Sequence, residues 1–258
     1  MNENKWQTKI TKIEPNRIQI RGYPIDELMG KISFSQAIYL IIKGDLPSKE
    51  MGQLMDAILV SSIDHGVTPP STIAALTAAS TGASLNAALA TGILSINKHH
   101  GGAVEGCMKI LYEIKNLLTD KEASTKTATL EIITNYRDSN KRIPGFGHRL
   151  HTEDPRSKAL FNLSDSLNLS AQFVEIARCV EESLPEIVKR KLPMNVDGAI
   201  AALLCELEFP VELANAFFIM ARVPGLISHI YEEQSEQRPM RHINSKESEY
   251  SGPENLKI

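Results

Sequence analysis

The chain of 258 residues is 42% hydrophobic and 23% charged, and its formal net charge is −3 at pH 7. This composition is typical of a globular protein with one large or two smaller domains, and the lack of a basic excess argues against a nucleic-acid-binding surface. The first residues lack the features of a signal peptide and the three cysteines form no CxxC pair, so we expect a cytoplasmic protein with free thiols.

The N-terminal part is predicted to be a β segment followed by helices. Residues 7–24 alternate apolar and polar side chains and end in Gly-Tyr-Pro, which predicts a short strand or hairpin. From there on, helical periodicity dominates the chain. Ser48 is expected to cap a helix that ends before Gly66.

Residues 69–97 contain no charged side chain and are long enough to span a bilayer. Threonine, serine, glycine and asparagine interrupt the segment, and alanine supplies most of its apolar content. This pattern favours one or two buried helices over a membrane span.

Helical patterns continue on both sides of "IPGFGHRLHTEDPR", residues 143–156. Ser170 and Asp197 are predicted to cap two of the later helices. The predicted fold class is therefore all-α, with a short N-terminal β segment.

The side chains that could carry chemistry fall at the predicted helix ends. They are His65, His99, His100, His148, Arg156, Asp197, Arg222 and Arg238. Each has a structural alternative, because a histidine is favoured at a helix C-terminus and an aspartate at an N-cap. A zinc site of His99, His100, Cys107 and His148 fits no standard ligand spacing.

As a set, these residues suit proton transfer and carboxylate binding. Imidazoles and a carboxylate can exchange protons with carbon and oxygen atoms. Arginines form bidentate pairs with carboxylates. The combination predicts carbon–carbon bond chemistry beside a carbonyl group, on a di- or tricarboxylate and without a metal.

Six ordered motifs resemble those of the citrate synthase superfamily. They are "DHG", "HGGA", "PGFGHR" with "DPR", "NVDGA", "ARVPGLISHIYEE" and "RPMR". Within that superfamily the chain is most similar to the short citryl-CoA lyases, relatives of the C-terminal lyase module of ATP-citrate lyase. The segment between His148 and Asp154 is one residue shorter than in the synthases, which also favours the lyase branch.

The resemblance implies three catalytic residues. His100 is expected to stabilise the enolate of acetyl-CoA, and Asp197 to move the proton on its methyl carbon. His148 is expected to exchange a proton with the oxygen on the carbonyl carbon of oxaloacetate.

The resemblance also implies the binding residues. His65, Arg156 and Arg222 would bind the acid, and Arg238 would reach the same pocket from the partner subunit of a homodimer. Coenzyme A, a substrate here rather than a tightly bound cofactor, would be cradled by the backbone at Gly145. Because a basic residue of the synthases is missing from the shortened segment, Arg142 and Arg149 are predicted to contact coenzyme A instead.

The function implied is reversible cleavage of citryl-CoA to acetyl-CoA and oxaloacetate. The alternative is a citrate or methylcitrate-type synthase, which uses the same catalytic residues. The resemblance implies a large domain of residues 1–102 and 209–258 and a small domain of residues 103–208. It implies no metal, membrane or nucleic acid, and leaves open a separate citryl-CoA synthetase as a partner.

Overall fold

The computed structural model describes residues 6–147, 152–241 and 251–252. This part of the chain is mainly helical with one small sheet at its N-terminus. The fold class predicted from the sequence, helical with a short β segment, is confirmed; the homodimer stays a prediction.

The sheet contains three antiparallel strands in the order β1 (Thr11–Glu14), β2 (Arg17–Ile20) and β3 (Tyr23–Pro24). Ile13 pairs with Ile18 across the hairpin, so two β-branched side chains stabilise the register. The hairpin predicted within residues 7–24 is therefore confirmed.

The described helices follow in chain order. They are α1 (Ile25–Leu28), α2 (Phe34–Lys43), α3 (Lys49–Ser61), α4 (Pro70–Ser80), α5 (Leu85–Leu94), α6 (Ala103–Lys121), α7 (Thr125–Asp138), α8 (Pro155–Ser166), α9 (Gln172–Val188), α10 (Val196–Glu206) and α11 (Ala214–Glu236), with a 3-10 turn at Val211–Leu213.

The chain forms two compact units, and it passes between them three times, near residue 63, near residue 100 and inside α11. The first unit comprises residues 1–63 and 101–221, and the second comprises residues 64–100 and 222–258. The domains predicted from the sequence, residues 1–102 with 209–258 and residues 103–208, have other boundaries than these units, and they stay a prediction.

The core of the first unit is built around α10. Ala199, Ala201 and Ala202 are fully buried, as are Leu203 and Leu204. α10 packs against α6, α8 and α9, and its small alanine side chains allow those helices to approach closely. The first turn of α10, which carries Asp197, is thereby fixed by the packing of the whole helix.

The core of the second unit lies between α4, α5 and the C-terminal part of α11. Ala75, Ala88, Leu226 and Ile230 are buried there. At Gly92, a Cβ atom would lie only 3.0 Å from the carbonyl oxygen of Ser71, so α4 and α5 approach backbone to backbone. The uncharged segment thus forms two helices as predicted, each buried on one face.

One described helical stretch is long and apolar enough to cross a membrane by length and composition alone. This stretch, Val211–Glu236, has a mean hydropathy of 1.3 in its most apolar window, 39% of which is buried. A long helix packed in a protein core passes the same test, so we draw no membrane assignment from it.

The helix caps confirm one prediction and correct two. Ser48 accepts a hydrogen bond from the amide of Met51 at the start of α3, as predicted. Ser170 is not a cap, because α9 begins after Ala171 and the Ser170 hydroxyl bonds to Ser164 instead. Asp197 is not a cap either, because it lies within the first turn of α10.

A distant carboxylate takes over the capping of α9. Glu206 Oε1, at the end of α10, accepts hydrogen bonds of 2.9 Å from the amides of Ala171 and Val174. Two amides at the helix N-terminus, which have no partner within the helix, are satisfied in this way.

Glu206→Ala should therefore lower the free energy of unfolding by about 1–2 kcal/mol, because it exposes the N-terminal amides of α9 without a cap. Urea unfolding followed by circular dichroism measures the change. Glu182→Ala, an exposed glutamate on α9 itself, is the matched control and should change stability by less than about 0.5 kcal/mol. Equal losses in the two variants would contradict the cap.

Candidate active site

In the first unit, Asn195 joins the start of α10 to residues 143–147. Its side-chain oxygen accepts hydrogen bonds from the amides of Asp197 (3.0 Å) and Gly198 (3.2 Å), which makes it the N-cap of α10. Its side-chain nitrogen donates to the carbonyl of Gly147 at 2.9 Å, and its backbone amide donates to the carbonyl of Gly145 at 3.0 Å. One residue therefore fixes both the helix carrying Asp197 and the loop that leads to His148.

Two glycines allow this loop and this helix to touch. Gly145 has φ +84°, and a Cβ atom there would lie 2.7 Å from the Cα of Gly198 and 2.9 Å from the Sγ of Cys107. Any side chain at Gly145 would separate the loop from α10. Gly145 is itself buried, and its predicted role in binding coenzyme A stays a prediction.

Asp197 is half-buried in the first turn of α10. Burial raises the pKa of the Cys107 thiol, and the negative charge of Asp197 raises it further. Cys107 is therefore a neutral thiol beside Asp197. A carboxylate at a helix N-terminus faces the positive end of the helix dipole, which stabilises its negative charge.

Arg156 is held by a buried carboxylate at the start of α8. Its Nε and Nη2 atoms donate to the two oxygens of Asp154 at 3.0 and 2.9 Å. Asp154 also caps α8 and accepts from the amide of Val196 at 3.1 Å. Burial alone would raise the pKa of Asp154, but the hydrogen bonds from Arg156 and Val196 outweigh it and lower the pKa.

The second unit holds His100 in a half-buried position next to α4. Its Nε2 atom lies 2.8 Å from the hydroxyl of Ser71, which is fully buried. Burial lowers the pKa of His100 below its ordinary value of 6.5, and the positive charges of Arg222 and His65 lower it further. The imidazole is therefore neutral at pH 7, and a neutral imidazole can donate a hydrogen bond without carrying a charge.

His65 and Arg222 lie near His100, since their charges act on its pKa. Arg222 is only 3% exposed, whereas His65 is exposed and follows Asp64 in a turn that Gly66 completes with φ +72°. The structure thus brings three of the predicted site residues together within the second unit.

The remaining predicted residues are placed as follows. Arg238 is exposed and lines a cavity of about 320 Å³ together with residues 79–82 and the end of α11. Arg142 is exposed in the segment after α7. His148 and Arg149 lie outside the described residues. Among the described residues, no group of three or more His, Cys, Asp or Glu side chains could hold a metal.

Three residues of the site were missed by sequence reasoning. Asn195 precedes a helix and Asp154 precedes a proline at the first helical position, so both carried a cap signal. Ser71 carried none, because it contacts His100 from 29 positions away.

Comparison with known sequences yields one family. The family described as "Citrate synthase, C-terminal domain" matches residues 2–53 and 49–243. The citrate synthase of Saccharolobus solfataricus is 31% identical over 86% of this chain and 58% of its own length. That of Haloferax volcanii is 28% identical over 84% of this chain and 54% of its own length. The chain spans little more than half the length of these curated relatives.

Two solved structures match almost the whole chain. A citryl-CoA lyase from Hydrogenobacter thermophilus is 40% identical with a TM-score of 0.88, and the match covers 98% of this chain and 97% of that one. The ATP citrate lyase of Methanothrix soehngenii, solved with citrate and coenzyme A, has a TM-score of 0.86 at 21% identity, over 98% of this chain and 42% of that one. At 21% identity the second likeness concerns the fold alone.

The two roles of Asn195 can be separated by substitution. Asn195→Ala removes both the cap and the bond to Gly147, and should lower the free energy of unfolding by about 2 kcal/mol. Asn195→Ser keeps a cap acceptor and should lower it by about 1 kcal/mol, since only the bond to Gly147 is lost. Urea unfolding measures both; no loss in Asn195→Ser would show that Asn195 does not tether the loop, and identical losses in the two variants would show that its side chain does not act as a cap.

The neutral state of His100 can be measured directly. Its ring C–H signal in NMR should titrate with a pKa below 6.5, the ordinary value. Arg222→Met should raise that pKa, because removing a nearby positive charge makes the protonated imidazole less unfavourable. Lys98→Met, at an exposed lysine, is the control and should leave the pKa closer to that of the unmodified protein. A fall of the pKa in Arg222→Met would refute the arrangement.

Proposed function

The chain belongs to the citrate synthase family, and on this premise we propose that it is a citryl-CoA lyase. It would cleave citryl-CoA reversibly to acetyl-CoA and oxaloacetate. The observation that carries this choice is sequence identity. The chain is 40% identical to a citryl-CoA lyase, in a match that covers 98% of this chain, whereas it is 28% and 31% identical to the citrate synthases.

The reaction begins at the hydroxyl group of the citryl moiety. His148 accepts the hydroxyl proton, the carbon–carbon bond breaks and the carbonyl of oxaloacetate forms. The electron pair of the broken bond moves into the thioester and produces the enolate of acetyl-CoA. Protonated Asp197 then delivers its proton to the methylene carbon, which completes the methyl group of acetyl-CoA.

Stabilising the enolate oxygen is the task of His100. The neutral imidazole supports this role, because Ser71 can donate to Nε2 while Nδ1–H donates to the oxygen. Removing one such donor from an active site typically raises the barrier by about 3–4 kcal/mol.

Cationic side chains bind the carboxylates of the acid. Arg156, Arg222 and His65 would do so within one chain, and Arg238 would enter the site of its partner in a homodimer. The bidentate pair with Asp154 supports Arg156, because it orients the guanidinium through Nε and Nη2 and leaves Nη1 for the substrate.

Coenzyme A would bind along the loop at Gly145, with Arg142 and Arg149 at its phosphates. The enzyme would be cytoplasmic, need no metal or tightly bound cofactor, and receive citryl-CoA from a separate synthetase.

The second candidate is a citrate or methylcitrate-type synthase. The curated relatives favour it, since the citrate synthase of Saccharolobus solfataricus is 31% identical over 86% of this chain. Both functions use the same catalytic residues, and they differ in whether water reaches the thioester of bound citryl-CoA.

Incubation with acetyl-CoA and oxaloacetate distinguishes the two. A lyase should form citryl-CoA without stoichiometric release of free coenzyme A, which a thiol reagent detects. Rapid, stoichiometric release of coenzyme A together with citrate would establish a synthase instead.

Asp197→Asn should lower turnover by about 10²–10⁴-fold, because it removes the group that moves the proton on carbon. Folding, measured by circular dichroism, and coenzyme A affinity, measured by calorimetry, should stay unchanged. Near-normal turnover in this variant would remove Asp197 from the mechanism.

A further inference from the structure

One face of α11 organises the second unit. Arg222, Leu226, His229 and Glu233 recur at spacings of three and four residues and so lie on one side of the helix. Leu226 is fully buried, and Arg222 and Glu233 are 3% and 4% exposed. This face is fixed against the core, so its polar groups are held at defined positions.

His229 holds the turn that presents His65. Its Nε2 atom lies 3.0 Å from Asp64 Oδ1, and Asp64 Oδ2 accepts from the amide of Gly66 at 2.9 Å. Burial would raise the pKa of Asp64, but hydrogen bonds from the amides of Gly66 and His65 and the charge and hydrogen bond of His229 lower it. The carboxylate therefore stays ionised and closes the turn around His65.

Glu233 holds the segment that presents Arg238. Its buried carboxylate accepts from the Nε atom of Arg241 at 3.0 Å and from a second guanidinium nitrogen as well. Met240, which lies between Arg238 and Arg241 in the chain, adopts φ +65°, and its amide donates to the carbonyl of Ser80 at 2.9 Å. A left-handed residue other than glycine persists only where its surroundings fix it, so the chain is pinned directly after Arg238.

We propose that His229 and Glu233 are positioning residues for the acid-binding groups, His229 orienting His65 through Asp64 and Glu233 fixing Arg238 through Arg241. This inference rests on the proposed function, in which His65 and Arg238 bind carboxylates. Arg222 lies on the same face of α11. The helix therefore positions all three acid-binding groups of the second unit, which are His65, Arg222 and Arg238. A purely stabilising pair would instead leave the affinity for the acid untouched.

Glu233→Gln tests the Arg238 branch. In the citryl-CoA cleavage assay, KM should rise at least tenfold while kcat changes less than threefold. Calorimetry should show a weaker Kd for oxaloacetate and an unchanged Kd for coenzyme A. Glu232→Gln, at the exposed neighbour on the same helix, is the matched control and should change none of these values.

Two further substitutions keep the test decisive if Glu233→Gln does not fold. Arg241→Gln alters an exposed partner of the same pair and should produce the same selective loss. For the His65 branch, His229→Ala should raise KM at least tenfold, whereas His229→Gln keeps a hydrogen-bond donor to Asp64 and should raise it less than threefold.

The outcomes separate this inference from the function on which it rests. A wild-type protein that neither cleaves citryl-CoA nor binds oxaloacetate contradicts the proposed function. An active wild-type protein with unchanged KM and oxaloacetate affinity in folded Arg241→Gln and His229→Ala variants overturns the positioning role alone.

Discussion

In the first unit, the candidate active site depends on the close backbone contact between Gly145 in the loop and Gly198 in α10. A Cβ atom at Gly145 would come within 2.7 Å of the Cα of Gly198, so the contact exists only because neither residue has a side chain. Asn195 then bonds to both sides of the contact, capping α10 and holding Gly147. The loop at Gly145 and Gly147 is thereby hydrogen-bonded to the start of α10, the helix that carries Asp197.

In the second unit, the main feature is that His100 is kept neutral beside the positive charges of Arg222 and His65. Burial and the charges of Arg222 and His65 both disfavour protonated His100, so the groups proposed to bind carboxylates also hold the proposed enolate donor in its neutral form. Ser71, buried at the start of α4, orients the ring. A neutral donor beside cations favours charge developing on the substrate oxygen, which is the electrostatic task of enolate chemistry.

Sequence reasoning predicted the elements well where the signal is local. The alternation in residues 7–24 and the cap at Ser48 depend on neighbours in the chain, and both are observed. The prediction of a cap at Ser170 was wrong, because Glu206 accepts the hydrogen bonds of the first amides of α9. Glu206 lies 35 positions after Ala171 in the chain, so no local signal indicates this contact. Sequence reasoning failed at Asp197 because both Asn195 and Asp197 can cap, and the pairing of Met194 with Phe146 fixes the backbone so that α10 begins at Val196.

The proposed lyase reaction requires that an enolate of acetyl-CoA is formed and then protonated on carbon. The most direct measurement is cleavage of citryl-CoA in D2O, with the products analysed by mass spectrometry. The expected products are equimolar oxaloacetate and acetyl-CoA, with one deuterium in the methyl group of acetyl-CoA during the first turnovers. Free coenzyme A and citrate, with no labelled acetyl-CoA, would contradict the proposed lyase reaction.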